Sequence, residues 1–117
     1  MCKHQILAYN DNGYIVLCKK CNHFQIAFGT TVICLSEIQY EEFKLQVEGQ
    51  LNFYKDDGFP QQKIIQLQTF SVNVQMVVSF NELLKLIELL EEESILTEVD
   101  KIISKAEIKI QTENKNN

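Results

Sequence analysis

Cys2-Lys3-His4 and Cys18-Lys19-Lys20-Cys21-Asn22-His23 form the one constellation in this chain whose residue types and spacing could do chemistry. Structural zinc is held tetrahedrally by thiolate and imidazole ligands, commonly with one C-x₂-C pair on a tight turn and a second pair from a distant segment. Cys18 and Cys21 fit the first role, and Cys2 with His4 fit the second. The expected ligands for a structural Zn²⁺ are therefore Cys2, His4, Cys18 and Cys21. His23 is the reserve ligand, and Cys2, His4, Cys21 and His23 make a coherent Cys₂His₂ alternative. Four such ligands close the site and leave no open position for water or substrate. Two competing readings are plain thiols beside surface histidines, and a thiol–disulfide pair at Cys18 and Cys21. A redox C-x-x-C usually sits at a helix N-terminus, which lowers the thiol pKa. This one lies between two strand-like runs, with only Lys19 and Lys20 to activate it.

A hairpin must bring the two clusters together. Gln5 to Tyr9 and Tyr14 to Cys18 are β-prone runs around Asn10-Asp11-Asn12-Gly13. Asn12-Gly13 predicts a type I′ turn, because both residues tolerate the positive φ it needs. A two-residue turn there sets His4 beside Cys21 and Cys2 beside His23, whereas a four-residue loop over Asn10 to Gly13 sets Cys2 opposite Cys21. Either register gathers the ligands at the open end of the hairpin. A second hairpin is predicted from Phe24 to Phe28 and Thr31 to Leu35, with Gly29-Thr30 as a type II′ turn. It places Phe24, Ile26 and Phe28 opposite Leu35, Ile33 and Thr31 on one apolar face. Cys34, inside the apolar run, is expected to fill the core as a small hydrophobe.

Ser36-Glu37-Ile38-Gln39 reads as a capping box that opens a helix, with Tyr40, Phe43, Val47, Leu51 and Tyr54 as its buried stripe. Lys55 to Gln62 reads as a loop around Asp57-Gly58 and Pro60. Lys63 to Phe70 and Val72 to Val78 are a third strand pair. Ser79-Phe80-Asn81-Glu82 repeats the capping box and starts a second helix, so strand, serine cap and helix occur twice, as an old duplication would leave them. Leu83, Leu84, Leu86, Ile87, Leu89 and Leu90 give that helix an apolar arc wider than one packing stripe needs. Glu91-Glu92-Glu93 interrupts the arc, and Leu96, Val99, Ile102, Ile103 and Ala106 resume it on a shifted face. Two accounts compete: a bent or divided helix wrapping one core, or a protein-partner or homodimer surface through Leu83, Leu86, Leu89 and Leu90. Ile108 and Ile110 could add a short terminal strand. The expected fold is α+β: an antiparallel sheet of about six strands in hairpins, two main helices on one face and a zinc-knuckle-like N-terminal hairpin. Residues 1–111 form one domain, with the metal-binding hairpin in 1–30, and 112–117 form a disordered polar tail.

Composition narrows the function classes. The 117 residues carry a net charge of −5, and all 11 bases are lysine. Without arginine the chain lacks the guanidinium fork that usually grips phosphates and guanine edges. Residues 1–23 still hold Lys3, Lys19 and Lys20 against Asp11, so a nucleic-acid-associated or regulatory zinc protein is the alternative, with Tyr9, Tyr14 or Phe24 stacking on bases. Three lysines are a weak footprint for that task. No secretory signal or bilayer-length apolar run is present, so a cytoplasmic address is expected, where close cysteines read as metal ligands rather than disulfides. Asp56-Asp57-Gly58 lacks the ligand spacing of a calcium loop and reads as a turn. No nucleotide-binding glycine pattern or Ser/His/Asp set occurs, so no catalytic residue is assigned.

Met1-Cys2-Lys3-His4, Asn12-Gly13-Tyr14, Cys18-Lys19-Lys20-Cys21, Gln25 to Thr30 and the Val78-Ser79 junction into a leucine-rich helix resemble an uncharacterised family of short bacterial proteins. The resemblance spans about Cys2 to Leu90 and implies one intact domain in a bacterial cytosol, with no assigned activity. The expected function is a small, non-enzymatic zinc-binding protein that acts as a protein-interaction or self-associating module.

Overall fold

Four β-prone runs in succession fold into one antiparallel meander in the computed structural model, which describes residues 3–55 and 61–115, the last eight by backbone alone. The strands are β1 (His4–Asn10), β2 (Gly13–Cys18), β3 (His23–Phe28) and β4 (Thr31–Ser36), ordered β1-β2-β3-β4. They are followed by α1 (Glu37–Lys55), β5 (Ile65–Gln68), β6 (Gln75–Val78) and α2 (Phe80–Lys115). The architecture is α+β. The six strands do not share one sheet, however: β5 and β6 pair only with each other.

The β3–β4 hairpin has the expected register, with Phe24 opposite Leu35, Ile26 opposite Ile33 and Phe28 opposite Thr31. Gly29 supplies a positive φ of 60° at the first turn position, which a type II′ turn requires. Ile26, Phe28, Ile33 and Leu35 are buried in the core. Cys34 corrects the sequence reading: it is exposed. Strand side chains alternate, so a register that sends Ile33 and Leu35 inward sends Cys34 outward.

The first hairpin differs more. Asn10 pairs with Gly13 across a loop of Asp11 and Asn12, and neither Asn12 nor Gly13 has a positive φ, so the turn is not type I′. Asn10 shapes it instead, its Oδ1 accepting from the Asn12 and Gly13 N–H groups at 2.9 and 3.1 Å. Its Nδ2 donates to the Lys85 carbonyl at 3.0 Å, tying the turn to α2. Gly13 is needed for close approach, since a Cβ there would lie 1.8 Å from the Ala27 carbonyl oxygen. A bulge between Ile6 and Ala8 then slips the register by one residue. Leu7 and Ala8 are both buried as a result.

Both capping boxes form with reciprocal bonds. The Ser36 N–H donates to Gln39 Oε1 at 3.0 Å and the Gln39 N–H to Ser36 Oγ at 3.3 Å. The Ser79 N–H donates to Glu82 Oε1 at 3.0 Å and the Glu82 N–H to Ser79 Oγ at 3.2 Å. On α1, Tyr40, Phe43 and Val47 are buried, and Leu51 and Tyr54 pack at the core margin. The same helix borders β5: Gln46 donates to the Gln68 carbonyl at 3.3 Å and accepts from its N–H at 2.6 Å, and Gln50 donates to the Gln66 carbonyl at 3.3 Å. The loop between β5 and β6 is longer than expected, covering 69–74, with Phe70 and Asn73 at positive φ.

The second helix brings further corrections. Leu83, Leu86, Leu89 and Leu90 all belong to the core cluster and cannot form the partner surface assigned to them. They are buried because α2 lies across β1 and β2 on one side and meets α1 on another, so its wide arc serves several neighbours at once. The helix is continuous, and the backbone at Ile108 to Ile110 is helical rather than a strand. At 1.5 Å per residue it is about 54 Å long, more than the core can cover. The radius of gyration is accordingly 17.4 Å, against about 13 Å for a compact chain of this length, and the longest dimension is 63 Å. Asp56 to Pro60, including the proposed Asp57-Gly58 turn, lie outside the described residues, as do Met1, Cys2, Asn116 and Asn117.

Candidate metal-binding site

The slipped β1 register decides which candidates meet. His4 stands opposite Cys18, and Cys18 stands opposite His23 in β3. His4, Cys18 and His23 therefore form one transverse row on the sheet face turned away from the helices. Neither expected register, His4 beside Cys21 nor Cys2 opposite Cys21, describes this pairing. Adjacent strands are about 4.8 Å apart, so the histidine backbones lie roughly 10 Å from each other with Cys18 between them. Cys18 is 4% exposed although it stands outside the core cluster, and Val16 shares that position. His4, Cys21 and His23 are exposed.

Cys21 reaches the same end through the β2–β3 turn. Asn22 takes a φ of 57°, which asparagine tolerates better than most residues, and its N–H donates to the Cys18 carbonyl at 2.7 Å. This closes a tight loop over Lys19, Lys20 and Cys21. His23 Nδ1 lies 2.8 Å from the Cys21 carbonyl oxygen. A carbonyl only accepts, so Nδ1 carries the proton, and in the neutral ring Nε2 keeps the lone pair a metal would need. Among the described residues, no three His, Cys, Asp or Glu side chains stand close enough to hold an ion. Cys2, the fourth expected ligand, lies outside them. The backbone thus gathers His4, Cys18, Cys21 and His23 at one end, while their side chains do not converge on a point.

The stacking partners invoked for nucleic acid are not with the lysines. Phe24 is stacked on Tyr40, with ring centroids 4.1 Å apart and planes at 11°. Tyr9 and Tyr14 pair at the Asn10–Gly13 end of the hairpin, whereas Lys19 and Lys20 follow the other end of β2. Among the described residues, no helix is long and apolar enough to cross a membrane.

These features belong to a chain with a recognisable lineage. It is a member of DUF6686, a family of unknown function, matched over residues 1–116. No curated protein and no solved structure matches it.

A second polar group in this DUF6686 chain was missed by sequence reasoning. Glu93 is 3% exposed between α1 and α2. Its carboxylate accepts from Thr97 Oγ1 at 3.0 Å and Ser94 Oγ at 3.3 Å, and Lys44 Nζ is 3.8 Å away. Lys44 also reaches Glu41 at 3.2 Å and lies over the Tyr40 ring, 5.0 Å from its centroid. The Tyr40 hydroxyl is buried with no hydrogen bond of ordinary geometry. Burial, and then the Glu93 carboxylate beside it, push the phenol far above its usual range, so it stays protonated. The signal for Glu93 was present: Leu86, Leu90, Glu93 and Thr97 continue one helical stripe at spacings of four, three and four. Reading Glu91-Glu92-Glu93 only as an interruption of the apolar arc hid it.

Proposed function

We propose that the chain is a small, non-enzymatic zinc-binding module, in which a structural Zn²⁺ staples the open end of the β1–β2–β3 meander and the rest of the molecule serves for binding. The observation that supports this is the row His4–Cys18–His23 beside the tight turn that carries Cys21. A thiol flanked on both sides by imidazoles, with a second thiol three residues on, is the donor chemistry of a closed zinc site. Cys2 is the fourth ligand in this reading. One histidine completes the set: His4 by proximity to Cys2 in sequence, or His23, whose ring is oriented by the Cys21 carbonyl. Metal binding would rotate these exposed side chains toward Cys18 and leave the backbone register unchanged. A reducing, cytoplasmic setting suits such thiolate ligands.

The test is metal analysis of protein purified without added zinc, paired with melting curves in chelator. One equivalent of zinc in the wild type, its loss in Cys18→Ser and Cys21→Ser, and a lower melting temperature in chelator are expected. His4→Ala and His23→Ala identify the histidine, since only the ligand's removal weakens retention. Metal-free wild type with unchanged melting in chelator sinks the reading.

A further inference from the structure

The two halves of α2 turn opposite faces to the apolar side. Up to Leu90 the buried stripe points at the sheet and α1, and Glu93 and Thr97 carry that line onward as polar residues. Beyond them Thr97, Lys101 and Ser104 border the groove against Gln5, Leu7 and Leu17 of the sheet. Leu96 still packs at the core margin, but the other aliphatic residues of this half are exposed: Ile95 is 66% exposed, Val99 44%, Ile102 59% and Ile103 50%. With 3.6 residues per turn, Ile102 stands about 180° around the helix from Glu93. Ile95, Val99, Ile102 and Ala106 recur at spacings of four, three and four, the seam of a helix that pairs with another. Because this side of the helix faces away from the sheet, no other described element covers the stripe from Val99 onward.

Charge selects the occupant. Glu91, Glu98 and Lys105 share one flank at seven-residue spacing, and all three are exposed. The segment 88–98 holds Glu88, Glu91, Glu92, Glu93 and Glu98 with no base, whereas in 99–107 Lys101 and Lys105 balance Asp100 and Glu107. Laid antiparallel, a second α2 sets its lysine-bearing half beside the acidic half; laid parallel, it sets acid against acid. The stripe also runs on into a groove between α1 and α2 lined by Val47, Leu51, Ile87, Leu90 and Ile95, where the end of an antiparallel partner helix would lie.

We infer that the C-terminal half of α2 pairs antiparallel with a second copy of this chain through Ile95, Val99, Ile102 and Ala106. This names the partner of the binding module proposed above and does not depend on its zinc. Sedimentation of the full chain over a concentration series, with and without chelator, is the test. Wild type forms a dimer in both conditions, and Val99→Glu/Ile102→Glu raises its dissociation constant about a hundredfold or more while the melting curve of the monomer holds. Glu98→Lys weakens the dimer severalfold at low salt, and adding Lys105→Glu restores it. A wild type that stays monomeric to millimolar concentration overturns the inference, as does a dimer indifferent to the Val99/Ile102 double variant. A Glu98→Lys dimer tighter than wild type overturns the antiparallel arrangement. Metal analysis bears on the zinc reading alone, so the two can fail separately.

Discussion

The body of the molecule and the open end of its meander are built on different principles. In the body the core-facing sides meet one another: α1 and α2 close over one side of the four-stranded sheet, and both helices begin with reciprocal serine caps. At the open end, one thiol and two imidazoles are brought into register across three strands on the face turned away from the helices. The body holds itself together by burial and local hydrogen bonds, and the end has the residue types of a place that waits for a ligand. The contrast teaches that residue type and backbone register, rather than packing, mark the end proposed as the metal site.

Ways to break that contrast can be ranked by size. Phe43→Ala empties a fully buried position on α1 and should cost about 3–5 kcal/mol, in chelator as much as with zinc, measured by denaturant unfolding. A strong dependence on zinc would mean that the body is not self-sufficient. Gly13→Ala drives a methyl into the Ala27 carbonyl and must displace β2 from β3, for about 2–3 kcal/mol. No loss there would show that the close approach is slack.

Smaller changes sharpen it. Tyr40→Phe removes a buried hydroxyl that has no hydrogen bond and should stabilise the fold by about 1 kcal/mol; a loss of that size would place a bond between the phenol and Glu93. Ser79→Ala should cost about 1 kcal/mol through the lost cap. Its partner Glu82 responds to pH. Burial acts to raise the carboxyl, but hydrogen bonds from Ser79 and the Lys63 ammonium outweigh it and hold it below the ordinary value. A depressed folded pKa gives stability that is present above the unfolded pKa and lost as pH falls through the folded one. Wild type should therefore lose this increment on acidification and Glu82→Gln should lose less, as melting curves from neutral to acid pH would show. Cys34→Ser, on the exposed sheet face, should change stability by less than about 0.5 kcal/mol.

Much of the body was legible because its signals are local. The two capping boxes, the Gly29 turn, the β3–β4 register and the Tyr40–Phe43–Val47 stripe each depend on residues a few positions apart. What failed depended on distant neighbours. The wide leucine arc looked like an interface because nothing nearby in sequence shows that β1, β2 and α1 all cover it. Glu93 looked like part of a break in the apolar arc because Lys44, forty-nine positions earlier, is not visible from its own helix. A turn over Asp11 and Asn12 instead of Asn12-Gly13 moved His4 from Cys21 to Lys19, and the bulge at Leu7 moved it one further to Cys18, since one extra residue in a strand reassigns every pairing beyond it. The division into two sheets was equally hidden, as it turns on α1 lying against β5.

That contact has a consequence for assembly. Strand β5 has β6 on one edge, and on the other Gln46 and Gln50 supply amide groups where a third strand would offer its peptide bonds. An open strand edge is a template for adding strands from other molecules. The helix here ends the sheet on this side by imitating a strand with side chains, so no strand can add to β5 while α1 stays in place. Protection of that edge thus rests on two glutamine amides.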